Sequence, residues 1–298
     1  MALTLPEAAK LSNDVLLAGV IETVINDSPV LQRLPFVEIV GNGLTYNRED
    51  TPATAAFYAT GDAWTEDTPT FTQVTTTLSI LGGDADVDNY VAQTRNNVQD
   101  LEAAVVALKA KAVQQKFDDT FINGDTASDA NAFDGLDVLC PAAQTTAMAT
   151  NGAALTLDKL DEMVDKIRGG KPEMLLMSRR TRRELNALSR ASGAGVVEHD
   201  RDEFGRMVTF YDGIPVAVND YISESQTQGT SNDVSTIFAL QLGEGALVGL
   251  TGPGGLTVER VGSLETKDAT RVRVKWYVSM ALFNELKLAR LIGITPAP

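Results

Sequence analysis

The chain has 298 residues, with a hydrophobic fraction of 44% and a charged fraction of 22%, values typical of a folded protein of one large domain or two ordinary ones. Its 40 acidic and 25 basic residues give a formal charge of −15, which opposes nonspecific binding to phosphates and argues against a dedicated nucleic-acid reader. The single cysteine, Cys140, excludes an intramolecular disulfide and a cysteine-based zinc site, and we interpret it as a small buried apolar residue.

Residues 5–25 have the apolar spacing of a short amphipathic helix, which Pro29 ends. The N-terminus lacks the basic region of a secretory signal, and no apolar run reaches the roughly 18 residues of a membrane span. We therefore expect synthesis in the cytoplasm and no association with a membrane.

Two strands are predicted next, from Phe36 to Tyr46 and from Val74 to Ile80, and we expect them to face each other. The long loop between them is rich in Thr, Ala, Gly and Pro. It also contains four aromatic residues, which are Phe57, Tyr58, Trp64 and Phe71. Aromatic side chains are costly to leave in water, so the loop either folds back on its own domain or is covered by a partner.

The segment from Asn89 to Ile122 contains no Gly or Pro and predicts a helix on the order of 50 Å long, which would act as a rigid strut. Its apolar face is predicted from residues at intervals of three and four, which are Val98, Leu101, Val105, Leu108 and Ala112. A narrow apolar seam with polar flanks is the pattern of a helix that packs on one side only.

Asp84, Asp86 and Asp88 precede this helix, and we interpret them as stabilising the positive end of its dipole. The alternative is a calcium-binding loop, because such a loop begins with acidic residues at the same spacing. Its sixth and twelfth positions hold Asn89 and Arg95, where such a loop requires Gly and a bidentate Glu.

Residues 123–154 are small and polar and predict an irregular excursion. The elements predicted after it are a helix from Leu157 to Ile167, a buried strand from Glu173 to Met177, a helix capped by Ser178, a hairpin turning at Asp212 and Gly213, strands from Thr236 to Leu242 and from Leu256 to Val261, and a final strand that alternates from Val272 to Leu282. Helices and strands are mixed along the chain, which predicts an α+β fold.

Two short motifs suggest a metal site and a phosphate-binding loop, and neither fits the pattern that such a site requires. Glu198, His199 and Asp200 include the only histidine, but three adjacent side chains cannot all face one ion, so a surface loop is favoured over a metal site. Glycines from Gly243 to Gly255 suggest a phosphate-binding loop, yet a strand and not a helix follows them, and we interpret them as tight turns between strands.

The densest basic cluster consists of Arg179, Arg180, Arg182 and Arg183, which would spread over most of the circumference of a helix. They are interpreted as pairing with carboxylates of neighbouring subunits, as facing an anionic lumen, or simply as a solvated helix surface. No acid/base pair, nucleophile, metal site or cofactor cradle is defined by the sequence, although a site built only from carboxylates would leave no signature in it.

The order of elements resembles that of the major capsid proteins of tailed bacteriophages, which have the Hong Kong 97-type (HK97-like) fold. The phrases LLMSRRTRREL (residues 175–185) and YDGIPVAVND (residues 211–220) are similar to an axial-domain strand running into a helix and to a short Gly-x-Pro-Val strand of that family. The resemblance implies an N-terminal arm at 1–35, an extended E-loop and the start of a peripheral domain at 36–88, a spine helix and following loop at 89–154, an axial domain at 155–255, and a return to the peripheral domain at 256–298.

The resemblance also implies a function without catalysis or cofactor, namely self-assembly through pentamers and hexamers into an icosahedral virion shell that encloses double-stranded DNA without reading its sequence. The residues expected to contact neighbouring subunits are Arg48, Phe57, Tyr58, Trp64, Phe71, Arg179, Arg180, Arg182 and Arg183. A portal and a separate scaffolding protein are the further expected partners, with a decoration protein as an additional one.

Two features limit what the resemblance implies. Some relatives join an E-loop lysine to an asparagine of another subunit, but this chain has no lysine between Lys10 and Lys109, so that bond is not expected here. Some relatives begin with a long cleavable scaffolding segment, and a spine helix starting near residue 89 leaves no room for one in this sequence. We therefore expect a separate scaffolding protein or none.

Two other functions stay open on the sequence alone. An encapsulin-like bacterial compartment would use the same fold to enclose cargo enzymes in place of DNA. A hydrolase that uses carboxylates would instead be a compact monomer or small oligomer with a deep polar cleft.

Overall fold

The structure is a computed structural model that describes residues 28–89, 98–192, 197–201, 207–266 and 268–296. The helix expected over residues 5–25 lies outside these ranges. The α-helices are α1 (Val98–Asn123), α2 (Leu136–Leu139), α3 (Leu157–Asp165) and α4 (Arg179–Ser192). The strands are β1 (Phe36–Glu38), β2 (Gly43–Thr51), β3 (Thr70–Thr77), β4 (Ser79–Asp88), β5 (Thr145–Ala147), β6 (Met174–Met177), β7 (Val197–Arg201), β8 (Met207–Tyr211), β9 (Ile214–Val218), β10 (Gln226–Gln228), β11 (Ser231–Leu240), β12 (Leu247–Ser263), β13 (Ala269–Leu282) and β14 (Leu288–Ile294).

A four-stranded sheet with the order β1-β12-β13-β4 forms one half of the body. Its strand β13 alternates as predicted, because Val272, Val274 and Trp276 are buried while Arg271 and Arg273 point to the opposite face. The buried face of this sheet is covered by α1, so the sheet is apolar on one side and charged on the other. This is the pattern of a sheet with one solvated face.

Helix α1 packs on the sheet through a different apolar row from the predicted one. Val106, Ala110 and Val113 are buried together with Phe117, whereas Leu108 is 69% exposed. The predicted face is therefore wrong at Leu108 and also at Ala112, which is exposed. Because the helix is rich in alanine and valine, two rows of side chains satisfy the helical spacing. The row that packs on the sheet is the one that contains phenylalanine.

The centre of this half is an aromatic cluster. The ring of Phe117 lies 5.1 Å from that of Trp276, and the ring of Phe36 lies 5.4 Å from that of Trp276. These three residues come from α1, β13 and β1, so the cluster joins the helix to two strands of the sheet. The Trp276 indole N–H donates to the Thr251 hydroxyl at 3.1 Å, which satisfies its one polar group.

The other half is an eight-stranded sheet with the order β5-β14-β11-β6-β9-β8-β7, in which β10 pairs with β11. Helices α3 and α4 cover one face of it through Leu160, Met163 and Leu185, which are fully buried. The opposite face contributes Leu176 and Phe238 to the core beneath α1. The two halves are therefore packed into one continuous body.

Strand β14 is not among the predicted elements. It pairs with β11 and β5, so residues 288–294 lie in the eight-stranded sheet and not beside β13. Its sequence LARLIGI is short, and Arg290 and Gly293 interrupt its apolar pattern. Its assignment as a strand depends on partners that are distant in the sequence.

Several local predictions are confirmed. The backbone N–H of Thr181 donates to the Ser178 hydroxyl at 3.3 Å, so Ser178 caps α4. The hairpin of β8 and β9 turns at Asp212 and Gly213, with φ values of +49° and +75° that suit a primed two-residue turn. Cys140 is buried, as expected, within the largely irregular stretch 123–154.

One interpretation of a motif is wrong and another is confirmed in part. Glu198, His199 and Asp200 lie in strand β7, paired with β8, and not in a surface loop. Gly243 and Gly245 do lie in the turn between β11 and β12, as predicted. Gly252 to Gly255 do not separate two strands, because β12 runs through them with an irregularity between Thr251 and Leu256. The positive φ of Gly254 and Gly255 absorbs this irregularity, which is a local interruption of the ladder and not a turn.

Asp84 and Asp86 are strand residues and do not stabilise the start of a helix. Both lie in β4, where side chains two residues apart share a face, and they form ion pairs with Arg273 and Arg271 of β13 at 2.6 and 2.7 Å. The pKa of the Asp84 carboxyl is lowered chiefly by its hydrogen bond with Arg273. The alternating acids are therefore half of a cross-strand ladder of charges.

The described chain begins at a buried contact with α1. The Ser28 hydroxyl donates to Asp118 at 2.6 Å and accepts from the backbone N–H of Leu31 at 3.2 Å. Burial raises the pKa of the Asp118 carboxyl to about 6, although hydrogen bonds with Ser28 and Gln114 act in the opposite direction. The folded state therefore favours the neutral acid.

A search of the described helices for a stretch with the length and hydropathy of a membrane span finds none.

Replacing Asp118 with asparagine should stabilise the fold at neutral pH. A raised pKa adds stability that is present below the ordinary value near 4 and is lost as the pH rises through about 6. D118N keeps an acceptor for Ser28 and cannot ionise, so its free energy of unfolding at pH 7.5 should rise by on the order of 2 kcal/mol. Urea unfolding of both proteins at pH 5 and pH 7.5 measures this effect.

The matched control is D119N, which removes the next carboxylate along α1, a partly exposed partner of Lys116. It should leave the pH dependence of unfolding unchanged. An equal loss of stability in D118N at both pH values would contradict the expected ionisation.

Candidate assembly surface

Strands β2 and β3 form a separate two-stranded ribbon, with Gly43 opposite Thr77 and Thr51 opposite Thr70. This confirms that two strands face each other, with different bounds. A turn divides the first predicted strand into β1 and β2, and Leu78 divides the second into β3 and β4. The ribbon has no third strand in the described part of the chain, and residues 49–73 are exposed apart from Tyr58, so this end of the ribbon projects from the two larger sheets.

Residues 52–69, here called the tip, join the two strands without regular structure. Asp67 accepts a hydrogen bond from the backbone N–H of Thr54 at 3.0 Å, and Asp62 accepts one from that of Ala59 at 2.7 Å. The Tyr58 and Thr65 hydroxyls are 2.7 Å apart. The hydrogen bonds from Thr54 lower the pKa of the Asp67 carboxyl. Local polar contacts thus shape the tip in place of an apolar core.

The four aromatic side chains predicted in the loop are largely exposed. Phe57 is completely exposed, and Trp64 and Phe71 are 81% and 65% exposed. Tyr58 is partly covered, because its ring stacks on that of Trp64 at 4.5 Å. Of the two outcomes open to the sequence, the loop does not fold back on its own subunit. Each such ring can bury about 150–250 Å² against a partner, so the tip is a strong candidate for an interface.

The ribbon is also strongly acidic. No lysine or arginine occurs from residue 49 to residue 69. The acidic residues of this stretch are Glu49, Asp50, Asp62, Glu66 and Asp67. Two such tips would repel each other, so the surface that covers a tip is expected to be neutral or basic.

The ribbon is anchored at its base by residues that include one predicted contact. Arg48 donates from Nη2 to the Leu282 carbonyl at 2.7 Å and from Nε to the Phe283 carbonyl at 3.2 Å, and it forms an ion pair with Glu285. Tyr46 donates to the same Leu282 carbonyl at 2.8 Å. Arg48, expected to contact another subunit, therefore has its partners within its own chain.

The importance of Tyr46 and Glu285 is not evident from their types alone. A signal for Tyr46 does exist in the sequence, because residues two apart in a strand share a face and Tyr46 precedes Arg48 by two. Glu285 lies more than 230 positions away in the chain, and nothing local connects it to the ribbon.

The arginine cluster of α4 is divided between internal and exposed roles. Arg179 makes a two-pronged contact with Asp220 at 2.6 and 2.7 Å, which raises the pKa of the guanidinium and lowers that of the carboxyl. Arg180 donates to the carbonyls of Glu224 and Asp233 at 3.1 and 2.9 Å. Both of these arginines therefore have partners in their own chain.

Arg182 and Arg183 are also exposed on α4. Their side chains are open to a neighbouring subunit, as is that of Arg179, which is 73% exposed although it is paired with Asp220. Arg182 and Arg183 remain predicted contacts.

A polar cleft lies between α3 and the β8–β9 turn. It has a volume of about 590 Å³ and is lined by Asp161, Asp165, Glu198 and Asp212. The hydroxyl of Tyr211 donates to Asp161 at 2.5 Å, and its burial there raises the pKa of that hydroxyl. No group of three or more His, Cys, Asp and Glu side chains in the described part of the chain is placed to hold a metal ion.

Comparison with known proteins agrees with this geometry. The sequence matches the phage capsid family over residues 11–285. None of the curated proteins matches the sequence. The fold is similar to that of the holo-SrpI encapsulin complex of Synechococcus elongatus PCC 7942, with a TM-score of 0.73, 19% identity, and coverage of 92% of this chain and 90% of that chain.

Two capsid structures show the same fold. The capsid of a native GTA particle has a TM-score of 0.64 at 14% identity, covering 92% of this chain and 91% of that chain. The capsid of cyanophage A-1(L) has a TM-score of 0.64 at 14% identity, covering 93% of each chain. The projecting ribbon, the long helix on a four-stranded sheet and the match over most of the sequence lead to one conclusion: the chain belongs to the phage capsid family, has the Hong Kong 97-type fold, and is a structural shell protein and not an enzyme.

Proposed function

We propose that the chain is the major capsid protein of a tailed phage, and that its copies assemble through pentamers and hexamers into an icosahedral head around double-stranded DNA. The observation that carries the proposal is the aromatic tip of the ribbon, which its own subunit leaves exposed. Exposed aromatic side chains grouped at the end of a projecting arm, here Phe57 and Trp64, are typical of a surface that another molecule covers.

The shape of the subunit supports ring formation. A projecting tip and the surface that receives it are different parts of the same molecule, so contacts of this kind are heterologous and close into rings when the rotation allows. Specific interfaces bury about 1,200–2,000 Å² in total, of which each partner contributes about half. The aromatic rings of one tip can supply a substantial share of the area that one subunit contributes. Arg182 and Arg183 are proposed to pair with carboxylates of a neighbouring copy.

The charge of the chain supports enclosure of DNA without tight binding. Binding to DNA is driven by Lys and Arg, which neutralise phosphates and release their counterions. A chain with a formal charge of −15 has an excess of acids, so the inner wall would not hold phosphates strongly. DNA is then free to move as it is packaged. A portal, a scaffolding protein and a decoration protein are proposed partners, and the shell is proposed to be built in the cytoplasm of the host.

A second function is favoured by one observation, the TM-score of 0.73 with an encapsulin. In that case the shell would enclose cargo proteins in place of a genome. The low identity of 19% means that this likeness concerns the fold, so the content of the particle has to decide between the two functions.

The purified chain should form particles in the megadalton range or discrete pentamers and hexamers, and the double variant F57S/W64S should not. Because both rings are exposed in the single subunit, their replacement should leave circular dichroism and thermal unfolding unchanged while sedimentation shifts toward the 31.9 kDa monomer. Analytical ultracentrifugation and negative-stain microscopy measure the outcome.

The control variant is V261S, which changes an exposed apolar side chain of β12 away from the ribbon. It should assemble as the unaltered chain does. A stable monomer of the unaltered chain at every concentration would disprove the shell.

Particles isolated from cells that naturally produce the chain should contain nuclease-protected double-stranded DNA. The ratio of absorbance at 260 and 280 nm, followed by extraction of nucleic acid after nuclease treatment, checks this content. Particles that hold a folded cargo protein and no DNA would instead establish the compartment.

A further inference from the structure

The contact that anchors the ribbon is more specific than packing alone requires. We call it the latch, formed by Tyr46 and Arg48 of β2 with residues 282–285 at the end of β13. The guanidinium of Arg48 uses three of its nitrogens, two on the carbonyls of Leu282 and Phe283 and one on the carboxylate of Glu285. Only 24% of the Arg48 side chain is exposed, so these bonds are partly shielded from water.

Aromatic contacts complete the latch. The ring of Tyr46 meets that of Phe283 edge to face at a centroid distance of 4.8 Å, and the Arg48 guanidinium lies 5.9 Å from the Tyr46 ring centre. The Tyr46 hydroxyl and the Arg48 Nη2 donate to one carbonyl, that of Leu282. Two neighbouring side chains of one strand face are therefore held on the same short turn.

Beyond the latch, residues 49–73 of the ribbon are exposed apart from Tyr58. Within the described chain, the hydrogen bonds of the tip, such as those of Thr54 and Tyr58, stay inside the ribbon. Below the latch, Leu44 and Leu78 pack on a small apolar cluster that includes Leu250. The latch is thus the outermost point at which the direction of the ribbon is determined.

The ribbon acts as a lever about this point. Phe57 lies nine residues beyond Arg48, which is at most about 30 Å along an extended chain, so a rotation of about 10° at the latch displaces this ring by up to about 5 Å. A displacement of this size is enough to separate an aromatic side chain from the pocket that receives it, because side-chain contacts require heavy atoms within about 4.5 Å.

We propose that Arg48 is a positioning residue for assembly: by fixing the angle at which the ribbon leaves the body, it presents the tip to a second copy of the chain in a preorganised orientation. This inference rests on the proposed function. Preorganisation increases affinity by removing the cost of ordering a mobile element at the moment of binding. The planar fork of arginine is required, since lysine cannot reach two carbonyls and a carboxylate in one geometry.

The experiment measures the orientation of the ribbon directly. Spin labels are attached at A55C in the tip and Q115C on α1, both of which replace exposed side chains. Cys140 stays unlabelled because it is buried and its pKa is raised to about 11. Electron–electron distances are recorded in subunits kept below their assembly concentration, for the unaltered latch, R48K, E285Q and the control E259Q.

With the latch intact, the distance distribution should be narrow. It should broaden in R48K, which keeps the charge, and to a smaller extent in E285Q. E259Q removes a carboxylate paired with Lys275 on the four-stranded sheet and should change nothing. The concentration at which unlabelled R48K assembles should rise roughly tenfold, the effect of losing one charge-assisted contact, with the temperature of thermal unfolding unchanged.

Each opposite result has a distinct meaning. Unchanged distances and an unchanged assembly concentration in R48K overturn the inference. A large fall in the unfolding temperature with a narrow distribution assigns Arg48 to fold stability and also overturns it. Failure of the unaltered chain to assemble disproves the proposed function, whereas the distance measurement still tests the latch in the single subunit.

Discussion

The aromatic rings of the tip are left exposed by their own subunit, and the proposed assembly depends on this exposure. The tip is held at the end of a two-stranded ribbon with no third strand, and local hydrogen bonds of Asp62 and Asp67 shape it without an apolar core. A ribbon of this kind is marginal alone. Its apolar surface gains stability only when something covers it, and the family to which the chain belongs builds shells.

A projecting element of this kind requires a stiff base. The cluster of Phe36, Phe117 and Trp276 joins one long helix to the four-stranded sheet, and the eight-stranded sheet adds Phe238 to the same core. Because aromatic rings in close contact inside a packed core resist rearrangement, movement is expected at the base of the ribbon and not within the body. Arg48 is located at that boundary.

Charge is distributed unevenly over the subunit. Arg271 and Arg273 are neutralised by the acids of β4, and Arg179 by Asp220, so many of the basic groups have partners inside the subunit. The acidic excess is left on exposed parts such as the tip and the cleft beside α3. A surface with a net negative charge opposes both aggregation at neutral pH and nonspecific binding to phosphates.

The single cysteine by itself excludes an intramolecular disulfide. The sequence also determined the features that depend on neighbouring residues: the Ser178 cap, the Asp212–Gly213 hairpin, the alternation of β13, and the presence of a long helix followed by mixed elements. It also identified the aromatic loop, because that signal is compositional. Only the tertiary structure decided which row of α1 is buried, since alanine-rich helices offer two. Pairing with distant strands turned Asp84 and Asp86 into a charge ladder, made a strand of residues 288–294, and brought Glu285 to Arg48. Interactions between residues far apart in the chain leave no local pattern, and these are the ones that set the direction of the ribbon.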